Sequence, residues 1–226
     1  MSPFIKCKNV SVNFPSFQRG KNITGLKNIN MDLKPGDRVG LVGSNGAGKS
    51  TLLRVLRQVY RPTSGVLQVS GSSILLDDLE TGMEPNLTGE ENAKLLMHYW
   101  RVTGVRFADF MADIAEFTDL GDFLYEPLYT YSAGMKLRLA FAAATFQRQQ
   151  ILLLDEVVGV GDEHFRTKSA ERLMSCLGTE GILVLASHSS DIMTKHCTYG
   201  AVLEQGCLRH FAEIADAIKL AEKLKS

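Results

Sequence analysis

Hydrophobic positions along this 226-residue chain change their spacing several times. In Lys6–Phe14 and Met31–Leu33 they alternate with polar residues or cluster in short runs broken by Gly, Asn and Pro, the pattern of antiparallel strands joined by turns. Arg38–Val42 is a short apolar strand, followed by a glycine-rich loop and then by Leu52, Leu53, Val55, Leu56 and Val59 at helical spacing. From about Asn92 to Gln147 the period is helical, carried by Trp100, Phe107, Phe110, Met111, Ile114 and Phe117. Ile151–Leu154, Ile182–Ala186 and Ala201–Leu203 then read as buried strands. They alternate with a helix around Glu171–Cys176 and another at the C-terminus, and such alternation implies a parallel sheet. The expected fold is α/β: a mainly parallel sheet, an antiparallel β region at the N-terminus and an inserted helical subdomain. The whole of 1–226 reads as a single domain, with the helical subdomain at approximately 88–147.

Composition removes several classes of function. Basic and acidic residues balance at 25 each, so the chain carries no electrostatic footprint for nucleic acid, and none is expected as a partner. The longest apolar runs, Ile151–Leu154 and Ile182–Ala186, fall far short of the roughly 20 residues of a membrane-spanning helix. The chain is not expected to cross a bilayer by itself. Met1–Lys6 shows no basic region leading into an apolar stretch, so a cytosolic chain without an export signal is expected. Cys7, Cys176, Cys197 and Cys207 are scattered without the spacing of a metal site or a disulfide framework and read as reduced structural thiols.

The chemistry is concentrated in four places. Gly43-Ser44-Asn45-Gly46-Ala47-Gly48-Lys49-Ser50-Thr51 has the form G-x-x-x-x-G-K-[ST], and it stands between a predicted strand and a predicted helix, the context that a phosphate-binding loop requires. Its glycines let backbone N–H groups turn inward around phosphates, and the helix N-terminus adds positive potential. Lys49 is placed to reach the β- and γ-phosphates and Ser50 to ligate Mg²⁺. The apolar strand Ile151–Leu154 delivers Asp155 and Glu156 at its C-terminal end, the edge at which open α/β sheets bind ligands. Asp155 is assigned to Mg²⁺ through its hydration shell, and Glu156 to orienting or deprotonating the attacking water. A further strand ends in Ser187-His188; a lone His there reads as an ordinary surface residue, and only together with the loop and the acids is His188 a candidate to reach the γ-phosphate. Tyr131-Ser132-Ala133-Gly134-Met135 opens another helical run, and its Ser-x-Gly turn offers a hydroxyl and N–H groups to an anion. The phosphate loop already has a helix terminus of its own, so this turn is assigned to nucleotide on a second copy of the chain.

The order of phosphate loop, helical insert, Ser-x-Gly turn, Asp-Glu strand end and strand-end His resembles the ABC-transporter ATPases, over nearly the whole chain. The resemblance implies that Phe14 stacks on adenine, with Phe17 close by and a core position as the other reading of either ring. It implies that Ser132 and Gly134 contact the γ-phosphate in trans, and that Asp162 ends a dimer-contacting loop. It also implies a nucleotide-sandwich homodimer driving two polytopic membrane permease subunits from the cytoplasmic face of the inner membrane, with ATP and Mg²⁺ as its ligands.

The chain departs from the general pattern of that family. Its signature is Tyr-Ser-Ala-Gly-Met, its loop after the acids is Gly159-Val160-Gly161-Asp162, and no Gln stands in the coupling segment between Leu76 and Asn92. Asp78 and Glu80 are the possible substitutes there, and solvated loop acids the plainer reading. With Leu87-Thr88-Gly89, these features are similar to the branch that exports lipid-linked or capsular polysaccharides and teichoic acids. The resemblance therefore implies an ATPase of a glycan exporter, of the short type, with an amphipathic tail from Ala212 to Ser226. An exporter of another cargo and a soluble non-transport ABC protein are the alternatives.

Overall fold

The computed structural model describes residues 2–16, 21–156 and 163–223, and these fall into two compact units. The first comprises Met1–Asp77, Gln149–Val158 and Leu177–Ser226; the second comprises Asp78–Arg148 and Gly159–Cys176.

The first unit is built on two sheets. β1 (Phe4–Pro15) lies between β2 (Asn22–Leu33) and β4 (Ser64–Ser70) in an antiparallel sheet of order β2-β1-β4. The second sheet has the order β5-β6-β7-β3-β8-β9. Its parallel strands are β3 (Arg38–Val42), β5 (Ser73–Leu76), β6 (Ile151–Asp155), β7 (Ile182–Ala186) and β8 (Tyr199–Glu204). β9 (Cys207–Glu213) closes one edge antiparallel to β8. Helix α1 (Lys49–Leu56) packs on β2, β6 and β7, and its Leu52, Leu53, Val55 and Leu56 are fully buried in the core that joins both sheets.

β2 runs well beyond the short apolar run that announces it, whereas β1 extends Lys6–Phe14 only to Phe4 and Pro15. Asn9 and Asn28 both have φ near +51°, and the β1–β2 register shifts at Cys7/Val10 and Val10/Val12. Bulges of this kind break the period of two, so in β2 the buried residues are Leu26, Ile29, Met31 and Leu33. α1 is also shorter than its hydrophobic pattern. Gln58 takes a left-handed φ of 64° after the C-cap Arg57, and Val59 ends up 60% exposed instead of on the buried face.

In the second unit the helical region is not continuous. α2 (Gly89–Tyr99) ends at Trp100, where Arg101 with φ +54° and Gly104 with φ +75° turn the chain into α3 (Phe107–Thr118). Two 3₁₀ turns, Gly121–Tyr125 and Leu128–Thr130, lead to α4 (Ala133–Ala144). α5 (Glu163–Leu177) adds Phe165 to a cluster with Phe117 and Phe141, and Arg172 lies 4.3 Å over the Phe117 ring while pairing with Asp113. α2 begins with a capping box: Thr88 Oγ1 accepts from Glu91 N, and Glu91 Oε2 accepts from Thr88 N. Asn92 is fully buried and fastens the preceding turn, accepting from Glu84 N at 2.7 Å and donating to Glu84 O and Thr88 O. Leu-Thr-Gly-Glu-Glu-Asn thus has a local structural reason of its own.

α6 (Ser190–His196) and α7 (Ile214–Lys223) complete the first unit. Among the described residues no helix is long and apolar enough to cross a membrane.

Candidate nucleotide site

β3 ends at Val42 and the chain turns through Gly43–Gly48 into α1. The turn depends on its glycines. A Cβ on Gly43 would lie 2.4 Å from Leu203 O of β8, and Gly48, the N-cap of α1, has φ +108°. That N-cap supplies no side-chain hydrogen bond, and the first turn of α1 contains no acid. The orphan N–H groups and the positive end of the helix are therefore left for something outside the helix. Lys49 is 7% exposed, and its Nζ donates to Gly43 O at 2.9 Å and Ser44 O at 3.1 Å. The turn between β8 and β9 braces the loop from behind: Gly206 N donates to Ala47 O at 2.9 Å, and Lys27 N donates to Gly206 O at 2.8 Å.

β6 ends at Asp155, whose side chain is half-buried, and Glu156 follows with a left-handed φ of 59°. For a residue with a side chain this conformation is uncommon. The Glu156 N–H donates to Ala186 O on β7 at 2.9 Å, which holds it there. Parallel pairing of β6 and β7 brings both strand ends to one edge, and His188 Nε2 lies 2.9 Å from Glu156 Oε1. Both side chains are about half exposed, so this contact contributes orientation more than stability.

A cleft of about 460 Å³ lies over the loop. Its lining combines Phe14, Ile23, Thr24 and Gly25 from the antiparallel sheet, Asn45, Gly46, Gly48, Lys49, Ser50 and Thr51 from the loop and α1, and Glu156 from the end of β6. The volume is that of an ordinary small-molecule site. Gly43 and His188 line a neighbouring pocket of about 50 Å³, together with Glu222 of α7. Ser44 and Ala47 belong to the loop without lining the cleft. Asp162 and Phe17 lie outside the described residues. The sequence reading did not include Ile23, Thr24 and Gly25; their signal is weak because the bulge at Asn28 disrupts the alternation that would have extended β2.

Ser132 and Gly134 lie in the second unit. They border a separate pocket of about 340 Å³ with Asp119, Phe123 and Arg138. Ser132 is the N-cap of α4, its hydroxyl accepting from Met135 N at 3.2 Å. The preceding Tyr131 is buried, and its hydroxyl donates to Phe123 O at 2.5 Å. Burial, reinforced by the negative charge of Glu126, pushes its phenol from 10.0 up to about 12. The fold therefore favours the neutral phenol. That contribution is complete below the unfolded value near 10 and is lost as pH rises through about 12. Tyr131→Phe is expected to lower stability by about 1 kcal/mol at neutral pH. Its unfolding midpoint should then fall less steeply than that of the wild type between pH 10 and 12. Burial also pushes the Cys7 and Cys197 thiols up to about 12, but in both proteins, so the difference between the two thermal-melt profiles isolates Tyr131. Parallel profiles would show that the hydroxyl does not hold the turn.

The parallel sheet, the phosphate-loop turn and the strand-end acids define a nucleotide-binding cassette. The ABC transporter family profile matches residues 26–159, and the chain belongs to that family. It is 41% identical to an O-antigen export system ATP-binding protein of Yersinia enterocolitica, over 82% of this chain and 78% of that one. A second O-antigen export system ATP-binding protein, from Myxococcus xanthus, is 39% identical over 88% of this chain, which spans only 47% of that longer protein. The ATP-binding protein BexA of Haemophilus influenzae is 39% identical, with 86% and 88% covered. Among solved structures, a dimeric ATP-binding cassette in a post-hydrolysis state with ADP and phosphate superposes with a TM-score of 0.76 at 21% identity, covering 93% of this chain and 98% of that one. That likeness establishes the same fold.

Proposed function

We propose that this chain is the ATP-hydrolysing subunit of an exporter that moves lipid-linked or capsular polysaccharide across the cytoplasmic membrane. The observation that carries the ATPase reading is the single cleft in which Phe14, Lys49, Ser50 and Glu156 meet. The names of the O-antigen relatives, and of the teichoic acids export ATP-binding proteins that are 32–34% identical, support the cargo class.

In this reading Phe14 faces the adenine, and Gly43–Thr51 with Lys49 hold the β- and γ-phosphates. Ser50 lines the cleft and Asp155 ends β6; their hydroxyl and carboxylate oxygens fit an ion that completes its oxygen shell with phosphate and water, as Mg²⁺ does. Bound there, Mg²⁺ would neutralise charge on the phosphate oxygens. Glu156 orients the attacking water and accepts its proton, and His188 holds Glu156 in place from the adjacent strand end. Ser132 and Gly134 serve the γ-phosphate on a second copy, with Asp162 in the loop between copies. The homodimer works peripherally on the cytoplasmic face of the inner membrane with two polytopic permease subunits, and without nucleic acid.

Gly134 gives a selective test of the sandwich. A Cβ there would meet only Ser132 Oγ, at 3.9 Å, so Gly134→Asp should fold. It should leave ATP affinity of the monomer unchanged yet abolish the ATP-dependent dimer that Glu156→Gln forms in size-exclusion chromatography, because a carboxylate would face the partner's γ-phosphate. A persistent dimer would remove the signature turn from the interface. For the transport reading, Glu156→Gln protein is to be purified with MgATP from detergent-solubilised membranes. A stoichiometric polytopic protein with bound lipid-linked glycan is the expected result; recovery of soluble proteins alone would leave only the ATPase.

A further inference from the structure

The cleft's aromatic wall is not free-standing. Phe14 packs edge-to-face on Tyr60, with ring centroids 5.3 Å apart, and lies so close to Gly25 that a Cβ there would come within 2.6 Å of its ring. Tyr60 is in turn tied to Arg54 twice. The Arg54 carbonyl accepts from Val59 N at 2.8 Å and Tyr60 N at 3.2 Å, and the guanidinium stands 6.0 Å from the Tyr60 ring centroid. The same guanidinium donates through Nε to Asp77 Oδ2 at 3.0 Å. Asp77 is the residue immediately after β5, where the segment begins that lacks a Gln. Arg54 thus lies on α1, one helix turn beyond the phosphate loop, and joins the strand-end Asp77 to the ring behind Phe14.

We infer that Arg54 is a positioning residue for base recognition, holding Tyr60 behind Phe14 with Asp77 as its anchor. The left-handed turn at Gln58 brings Tyr60 back onto Arg54, and the planar guanidinium engages a carboxylate at its Nε edge while facing the tyrosine, which a lysine cannot reproduce. Asp77 holds Arg54 charged and raises its basicity further, chiefly through that hydrogen bond.

This inference rests on the reading of Phe14 as the base-facing aromatic, and the test separates the two. Binding of MgATP and of magnesium tripolyphosphate, which lacks a base, is to be measured by calorimetry for the wild type, Phe14→Ala, Arg54→Met and Asp77→Asn. A defect confined to base recognition lowers affinity for ATP and spares tripolyphosphate, whereas general damage to α1 would weaken both. Arg54→Met and Asp77→Asn should each weaken ATP by about three- to tenfold, the range set by one aromatic contact, with tripolyphosphate unchanged. If Phe14→Ala alters the ratio and Arg54→Met does not, the relay is wrong and Phe14 stands. If Phe14→Ala also leaves the ratio unchanged, the base site is misplaced and the relay falls with it. Equal losses for both ligands in Arg54→Met would make Arg54 a structural residue of α1 and overturn the inference.

Discussion

Replacing Glu156 with Gln is expected to cut ATP turnover by about 10²- to 10⁴-fold, the range in which a positioned general base contributes, while ATP affinity stays within about twofold. The two halves of this expectation have separate physical grounds. Turnover depends on a carboxylate that accepts a proton, and an amide cannot. Affinity depends on the loop and Lys49, and removing a negative charge beside the phosphates costs binding nothing. The substitution should also be silent in the fold. Glu156 is held at φ +59° by its N–H bond to Ala186 O, and Gln meets the same backbone cost. The amide oxygen can still accept from His188, which lies 2.9 Å from the present carboxylate. Single-turnover hydrolysis and equilibrium nucleotide binding measure the two quantities independently. Turnover within tenfold of the wild type would mean that another group activates the water.

What the sequence disclosed was chemistry encoded locally. The phosphate loop is contiguous, its flanking strand and helix fit within about twenty residues, and Asp155 and Glu156 end an apolar run that structure places between β5 and β7 in the parallel sheet. The gaps are where neighbours in space decide. β5 has only Ile74, Leu75 and Leu76 as a hydrophobic signal, and it becomes a strand because it pairs with β6. β4 is mostly exposed, with only the partly buried Leu67 and Val69 to mark an inward face; it is held by its pairing with β1. In the second unit the spacing of large residues runs past Trp100, yet a left-handed Arg101 and Gly104 end one helix and set up the next. Hydrophobic period reports burial and not the continuity of a helix. The far wall of the cleft was hidden for the same reason: Ile23 is 60% exposed, so nothing in its pattern marks it as part of a site.

Lys49→Met is expected to weaken ATP binding by at least about 10²-fold, since two charge-assisted hydrogen bonds of roughly 1.5–3 kcal/mol each would be lost. The ammonium now points into its own loop, donating to Gly43 O and Ser44 O, with 7% of the residue exposed. Those carbonyls hold the side chain across the turn that the phosphates would occupy, so the charge is pre-positioned and little side-chain entropy remains to be lost on binding. Methionine matches the length of the stem and buries without a charge. Removing the ammonium leaves the Gly43 and Ser44 carbonyls without their donor, at a cost of about 1–3 kcal/mol, so the free protein should melt several degrees below the wild type. Thermal shift then gives the contrast. Saturating MgATP should raise the wild-type midpoint, because a ligand at about 100 times its dissociation constant adds roughly 2.7 kcal/mol, and should leave Lys49→Met unmoved. If the variant instead bound ATP within tenfold of the wild type, the loop's backbone alone would be holding the phosphates. Lys49 would then serve the loop's own shape, through the two carbonyls it already bonds.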